Sequence, residues 1–162
     1  MLRLFVLFAG CIPFASASSA ASPTDDAAAV RDAVSEYVAG WREGDTERLS
    51  KVFDTENGHI IWLSGEGEEI RSMTFGEALE SRRPNPGYGD PYHIVSLDIV
   101  DGYLAVVKFD IQTAEGAYVD YLTLYKSASK WKIVAKTFAW RPGVSLGVDQ
   151  DQMRSRLTTG VD

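Results

Sequence analysis

From Tyr92 to Trp140 the chain repeats one pattern, strand-prone runs interrupted by turn residues at Asp101-Gly102, Glu115-Gly116 and Ser127-Ala128-Ser129. Short alternating runs separated by such turns fold as an antiparallel meander, here of four strands. A two-residue turn at Glu115-Gly116 pairs Ala114 with Ala117 and sets Ile111 opposite Asp120, Phe109 opposite Leu122 and Val107 opposite Leu124. That face is apolar except for Asp120, which therefore points inward, and a slip of one residue would expose the whole set. For the last hairpin, a four-residue loop over 127–130 turns Trp131, Ile133, Ala135 and Thr137 inward and sends Lys132 and Lys136 to solvent, since an unpaired buried lysine is costly. A three-residue loop would instead bring Lys136 opposite Asp120 as a buried ion pair, and the sequence leaves both registers open. In the first register Val134, Phe138 and Trp140 form an outer apolar patch, which either a homodimer or the C-terminal tail can cover.

The residues before the meander read mainly as helix. Ser22-Pro23-Thr24-Asp25 is a helix start, and Val30, Val34, Tyr37, Val38 and Trp41 make a single apolar stripe that ends near Gly44. Gly44-Asp45 stops this helix and caps a shorter one carrying Leu49, Val52 and Phe53. Ile60 to Leu63 is a short strand, with Glu69-Ile70-Arg71 its return after Gly65-Glu66-Gly67. Thr74-Phe75-Gly76-Glu77 is a capping box that opens a third helix through Leu79. Arg83 to Pro91 holds three prolines and two glycines and reads as an ordered loop.

The 162 residues suit one domain, with 45% hydrophobic and 24% charged residues as in an ordinary packed protein. Sixteen Lys plus Arg against 23 Asp plus Glu give a formal net charge of −7. That balance argues against nucleic acid as a partner and disfavours an acidic ligand. One cysteine and two histidines do not supply a structural zinc site, and no nucleophile elbow, phosphate-cradling loop or metal-ligand cluster is present, so no metal or cofactor is expected. Arg3, the apolar run Leu4–Ala15 and the small residues from Ser16 to Ser22 read as a secretory signal peptide over residues 1–21, with no further membrane segment after cleavage. Cys11 makes lipoprotein processing a lesser alternative. The expected organisation is therefore a signal over 1–21, a domain over 22–140 and a tail over 141–162, secreted or periplasmic.

Two helices, a strand pair, a third helix and a meander is the element order of the nuclear transport factor 2-like (NTF2-like) cone. The residues resemble its "putative lumazine-binding" branch in Tyr37-x-x-Gly40-x-x-x-Gly44-Asp45-x-x-x-Leu49-x-x-x-Phe53, in Met73-Thr74 with Glu77 and Leu79, in Arg83-Pro84, and in Tyr118-x-Asp120-Tyr121-Leu122-Thr123-Leu124-x-Lys126 leading to Trp131-Lys132-Ile133-Val134-x-Lys136-x-Phe138. The resemblance implies an α+β fold with three helices packed on a strongly curved, mainly antiparallel sheet. The cone hosts both enzymes and noncatalytic binders, so fold alone does not assign a reaction.

Ketosteroid isomerase, a more distant relative in the same superfamily, uses a tyrosine and a protonated aspartate as an oxyanion hole and a separate carboxylate base. Tyr37 and Asp120 are similar to the first two, while Ile61, Trp62 and Leu63 stand where the base would fall. Tyr37 and Asp120 either donate hydrogen bonds to a ligand oxygen or form a satisfied core pair. His59 is either an acid–base group at the mouth of the first strand or a surface residue. Trp41, Trp62, Phe109 and Trp131 are candidates to line a pocket for a flat ligand, or else pack in an aromatic core. The expected function is an exported protein that binds a small, largely apolar or aromatic molecule. The alternative is a cofactor-free isomerase or lyase using Tyr37, Asp120 and His59.

Overall fold

The computed structural model describes residues 23–64 and 69–144. The proposed signal peptide, the Gly65-Glu66-Gly67 turn and the tail beyond 144 lie outside the described residues. Helix α1 (Pro23–Glu43) begins with Asp25 and Asp26 in its first turn, where acids complement the helix dipole. Its stripe of Val30, Val34, Tyr37 and Val38 is buried. Gly44, at φ +69°, closes the helix in the left-handed region, and a side chain there would meet the backbone of Pro84. Asp45 then caps α2 (Thr46–Val52) by accepting from the Arg48 amide at 2.9 Å. Strands β1 (His59–Leu63) and β2 (Ile70–Thr74) pair antiparallel, and the capping box of Thr74 and Glu77 opens α3 (Phe75–Glu80).

The meander follows as β3 (Tyr92–Val100), β4 (Leu104–Gln112), β5 (Gly116–Ser127) and β6 (Lys130–Pro142). All six strands form one sheet in the order β2-β1-β6-β5-β4-β3, with β1 running parallel to β6 and every other pair antiparallel. The three helices pack on this sheet, and Leu49, Phe53, Phe75, Phe109, Leu122 and Ile133 are buried between the layers. The α+β architecture expected from the sequence is the one observed.

Three expectations are corrected in detail. The β4–β5 register lies two residues from the expected one: Phe109 faces Asp120, Ile111 faces Tyr118 and Val107 faces Leu122. The turn spans Thr113 to Gly116, where the Gly116 carbonyl accepts from the Thr113 amide at 2.8 Å and its hydroxyl at 3.0 Å. A shift of two keeps every side chain on its expected face, so Asp120 still points inward.

The β5–β6 register is the more consequential correction. Ser127 pairs with Lys130 across a two-residue turn, Ala128-Ser129, with φ of 47° and 66°. The ladder then slips by one residue: Leu124 pairs with Ile133 but Thr123 pairs with Ala135, leaving Val134 as a bulge. Before the bulge Trp131 and Ile133 face the core as expected; after it the alternation inverts. Lys136, expected outside, is buried opposite Leu122, and Phe138 and Trp140 pack on Tyr118 from the same face. The expected outer patch of Val134, Phe138 and Trp140 is therefore not one surface, since Phe138 turns to the cavity with Lys136. β6 itself reaches Pro142, which pairs with Gly116.

Non-glycine residues at two successive positive-φ positions carry a local cost that asparagine and glycine do not. The double variant Ala128→Asn/Ser129→Gly is expected to raise stability by about 1 kcal/mol, seen as a higher urea midpoint at unchanged slope. A second test reads the tie between α1 and the β5–β6 hairpin. Asp26 Oδ1 accepts from Lys126 Nζ at 2.6 Å and Trp131 Nε1 at 3.2 Å. The Lys126 hydrogen bond leads the causes that hold the Asp26 carboxyl below its ordinary 3.8. A depressed acid stabilises the fold above its unfolded pKa and loses that contribution as pH falls through the folded value. Urea unfolding should thus show Asp26→Asn less stable than wild type at neutral pH, with the gap closing as pH drops below 3.8.

Candidate functional site

A cavity of about 630 Å³ opens between α3, the β1–β2 pair and the inner face of β5 and β6. The end of α1 supplies Trp41, β1 supplies Ile60 and Trp62, β2 supplies Ser72 and Met73, and α3 supplies Glu77 and Ala78. The segment after α3 contributes Ser81, Arg82, Asn85 and Tyr88, and the meander contributes Tyr118, Lys136 and Phe138. Apolar and aromatic walls with a few polar groups are the usual make-up of a small-molecule site.

Lys136 and Tyr88 on the wall join Tyr37 and Asp120 behind it in one polar network, in which Asp120 Oδ1 has no hydrogen-bond partner among the described residues. Lys136 Nζ donates to Tyr37 Oη at 2.6 Å and lies 2.8 Å from Asp120 Oδ2. Tyr37 donates its single hydroxyl proton to Asp120 Oδ2 at 3.1 Å. The 2.6 Å contact between the Tyr37 and Tyr88 hydroxyls must then be donated by Tyr88. Asp120 and Tyr37 are fully buried and Lys136 is 5% exposed. Burial pushes the Asp120 carboxyl above its ordinary range, opposed by the Lys136 ammonium and the Tyr37 hydroxyl. Burial also lifts both phenols, Tyr37 and Tyr88, well above 10, so each keeps its proton at neutral pH.

Of the residues singled out in the sequence, Trp41 and Trp62 line the cavity. Tyr37 and Asp120 meet one another but stand one layer behind it, separated from its space by Lys136 and Tyr88. Phe109 does not line the cavity: it is fully buried, edge-on to Tyr37 with centroids 5.8 Å apart. Trp131 also lies outside it, near the β5–β6 turn, with its indole committed to Asp26. His59 is exposed, off the cavity wall, with Nδ1 2.9 Å from the Asn57 carbonyl.

Sequence reasoning missed Tyr88 and Arg82. Tyr88 sits in a proline- and glycine-rich loop, where no periodicity assigns an orientation. Arg82 precedes the Arg83-Pro84 mark and lays its guanidinium 4.2 Å from the centre of the Trp41 ring. Lys136 was legible only as one of two registers. Among the described residues, no group of three His, Cys, Asp or Glu side chains is placed to hold a metal.

The network predicts its own response to substitution. Lys136→Met leaves Asp120 as an uncompensated buried charge and is expected to cost about 3–5 kcal/mol in chemical denaturation. The double variant Asp120→Asn/Lys136→Met removes both charges at nearly constant volume and should recover most of that loss.

The sequence matches the family described as "Putative lumazine-binding" over residues 25–139. Among solved structures, the fold is similar to an NTF2-like protein of unknown function from Shewanella baltica, at 19% identity and a TM-score of 0.66, covering 76% of this chain and 99% of that one. It is similar to another from Silicibacter pomeroyi, at 19% identity and 0.63, covering 75% and 100%. A third, from Methylobacillus flagellatus, is 21% identical with a TM-score of 0.63, covering 76% and 98%. No curated protein matches the chain. The element order and the inward face of the meander give an NTF2-like fold, and by the match over 25–139 the chain belongs to the "Putative lumazine-binding" family.

Proposed function

We propose that this chain binds a small, flat, largely aromatic molecule noncovalently in the cone cavity, and that it does so after export. The observation that carries the reading is the cavity itself, about 630 Å³, with Trp41, Trp62, Met73 and Phe138 on its walls beside polar groups that include Glu77, Arg82, Asn85 and Lys136. Aromatic walls offer a flat ligand stacking contacts in addition to burial of apolar area. The family description, which names lumazine binding, supports the same ligand shape. Export rests on the sequence of residues 1–21, with its basic start, apolar run and small-residue end.

The isomerase or lyase alternative has less support. It needs Tyr37 and Asp120 to present protons to a ligand, but the Tyr37 proton is directed to Asp120 and the carboxylate is engaged by Lys136. His59, its proposed proton carrier, lies off the cavity wall.

Titration with lumazine, followed by tryptophan quenching, tests the reading, because Trp41 and Trp62 lie on the cavity wall. Saturable quenching in the micromolar range is expected, weakened at least tenfold in Trp41→Ala. Native mass spectrometry of the protein as purified checks for a retained small molecule and reads the oligomeric state in the same spectrum. A protein that carries no added mass and is unquenched by lumazine would count against a binding pocket.

A further inference from the structure

We propose that Lys136 anchors the ligand, and that the cavity selects a planar aromatic molecule carrying an anionic oxygen, which accepts the remaining Lys136 N–H. The proposal rests on the ligand-binding reading above and narrows the class of ligand. A lysine ammonium has three donors and no acceptor. Among the described residues two acceptors meet it, Tyr37 Oη at 2.6 Å and Asp120 Oδ2 at 2.8 Å. The same nitrogen lies 5.0 Å from the Phe138 ring centre, 5.5 Å from that of Trp41 and 5.9 Å from that of Tyr118. All three rings line the cavity, so the ammonium stands at its inner wall with its third N–H left for what the cavity holds.

The other ionic groups on the wall point to the same chemistry. Arg82 lies over Trp41 at the cavity, adding a second cation. Glu77 is the lining carboxylate, and its Oε2 is taken up by the Thr74 amide at 2.7 Å and the Thr74 hydroxyl at 2.9 Å. Asp120 holds Lys136 in place from behind and does not line the cavity. An incoming molecule therefore meets two cations and one carboxylate, one oxygen of which is engaged as a helix cap. The formal charge of −7 acts over the whole surface, but at physiological salt such charges are screened beyond about 8 Å, so contact with Lys136 decides. Tyr37 and Asp120 thereby act as positioning residues that fix the direction of the ammonium.

The test uses two isosteric probes, 2-naphthoate and its neutral amide 2-naphthamide, titrated by calorimetry into the full chain. Wild type should bind the carboxylate about tenfold to a hundredfold more tightly than the amide, as a charge-assisted hydrogen bond implies. Because Lys136→Met alone strains the fold, the decisive variant is Asp120→Asn/Lys136→Met, whose wild-type circular dichroism and cooperative urea transition report an intact fold. In that variant the two probes should bind equally. Equal binding in wild type, or a carboxylate preference that survives in the double variant, overturns the assignment of Lys136 and leaves the pocket reading standing. If neither probe binds wild type, the pocket reading falls and the Lys136 proposal falls with it.

Discussion

The buried pair of Lys136 and Asp120 is the interaction around which this molecule is arranged. Each charge loses several kcal/mol of hydration on entering the interior, and their attraction offsets that loss only where further hydrogen bonds complete the site. Tyr37 from α1 bonds both charged groups and accepts in turn from Tyr88 in the loop before β3, while Asp120 Oδ1 has no partner among the described residues. One network thus joins α1, a connecting loop and two neighbouring strands, and a change in the position of α1 or of either strand leaves a buried charge short of a partner. The aromatic rings around the lysine exclude water from one side and leave the cavity on the other.

That pair exists because of a single extra residue. Without the bulge at Val134, strand alternation from Trp131 and Ile133 would carry Lys136 to the outer face. The bulge inverts the alternation for the rest of β6, so Lys136 and Phe138 reach the cavity while Trp131 and Ile133 stay in the core below. Lys136 engages both members of the tyrosine–aspartate pair and stands at the cavity wall, where neither of them does. What the cavity presents is a held cation among aromatic rings.

Some of the site was readable before any coordinates. The helical stripe fixed Tyr37 and Trp41 on the buried side of α1, and the apolar face of β4 and β5 carried Asp120 inward despite a turn two residues longer than expected. Phe109 and Trp131 were inward too, but inward splits into a cavity wall and a solid core, and both lie in the core. Tyr88 had no such signal, since a loop has no repeating face. His59 sits at a strand end, where the sequence offers no partner that would fix its ring.

By itself the sequence determined the element order, the capping of α2 and α3, the burial of the α1 stripe and the sidedness of β4 and β5. Those follow from periodicity and local hydrogen bonding, which act over a few residues. Tertiary structure alone decided the sign of Lys136, in or out, and which inward side chains line open space. A bulge is set by the competition between a strained two-residue turn, the packing of Trp131 on Asp26 and the pairing of two charges brought together from separate strands. Those energies depend on contacts far apart in the chain, and no local pattern encodes their balance.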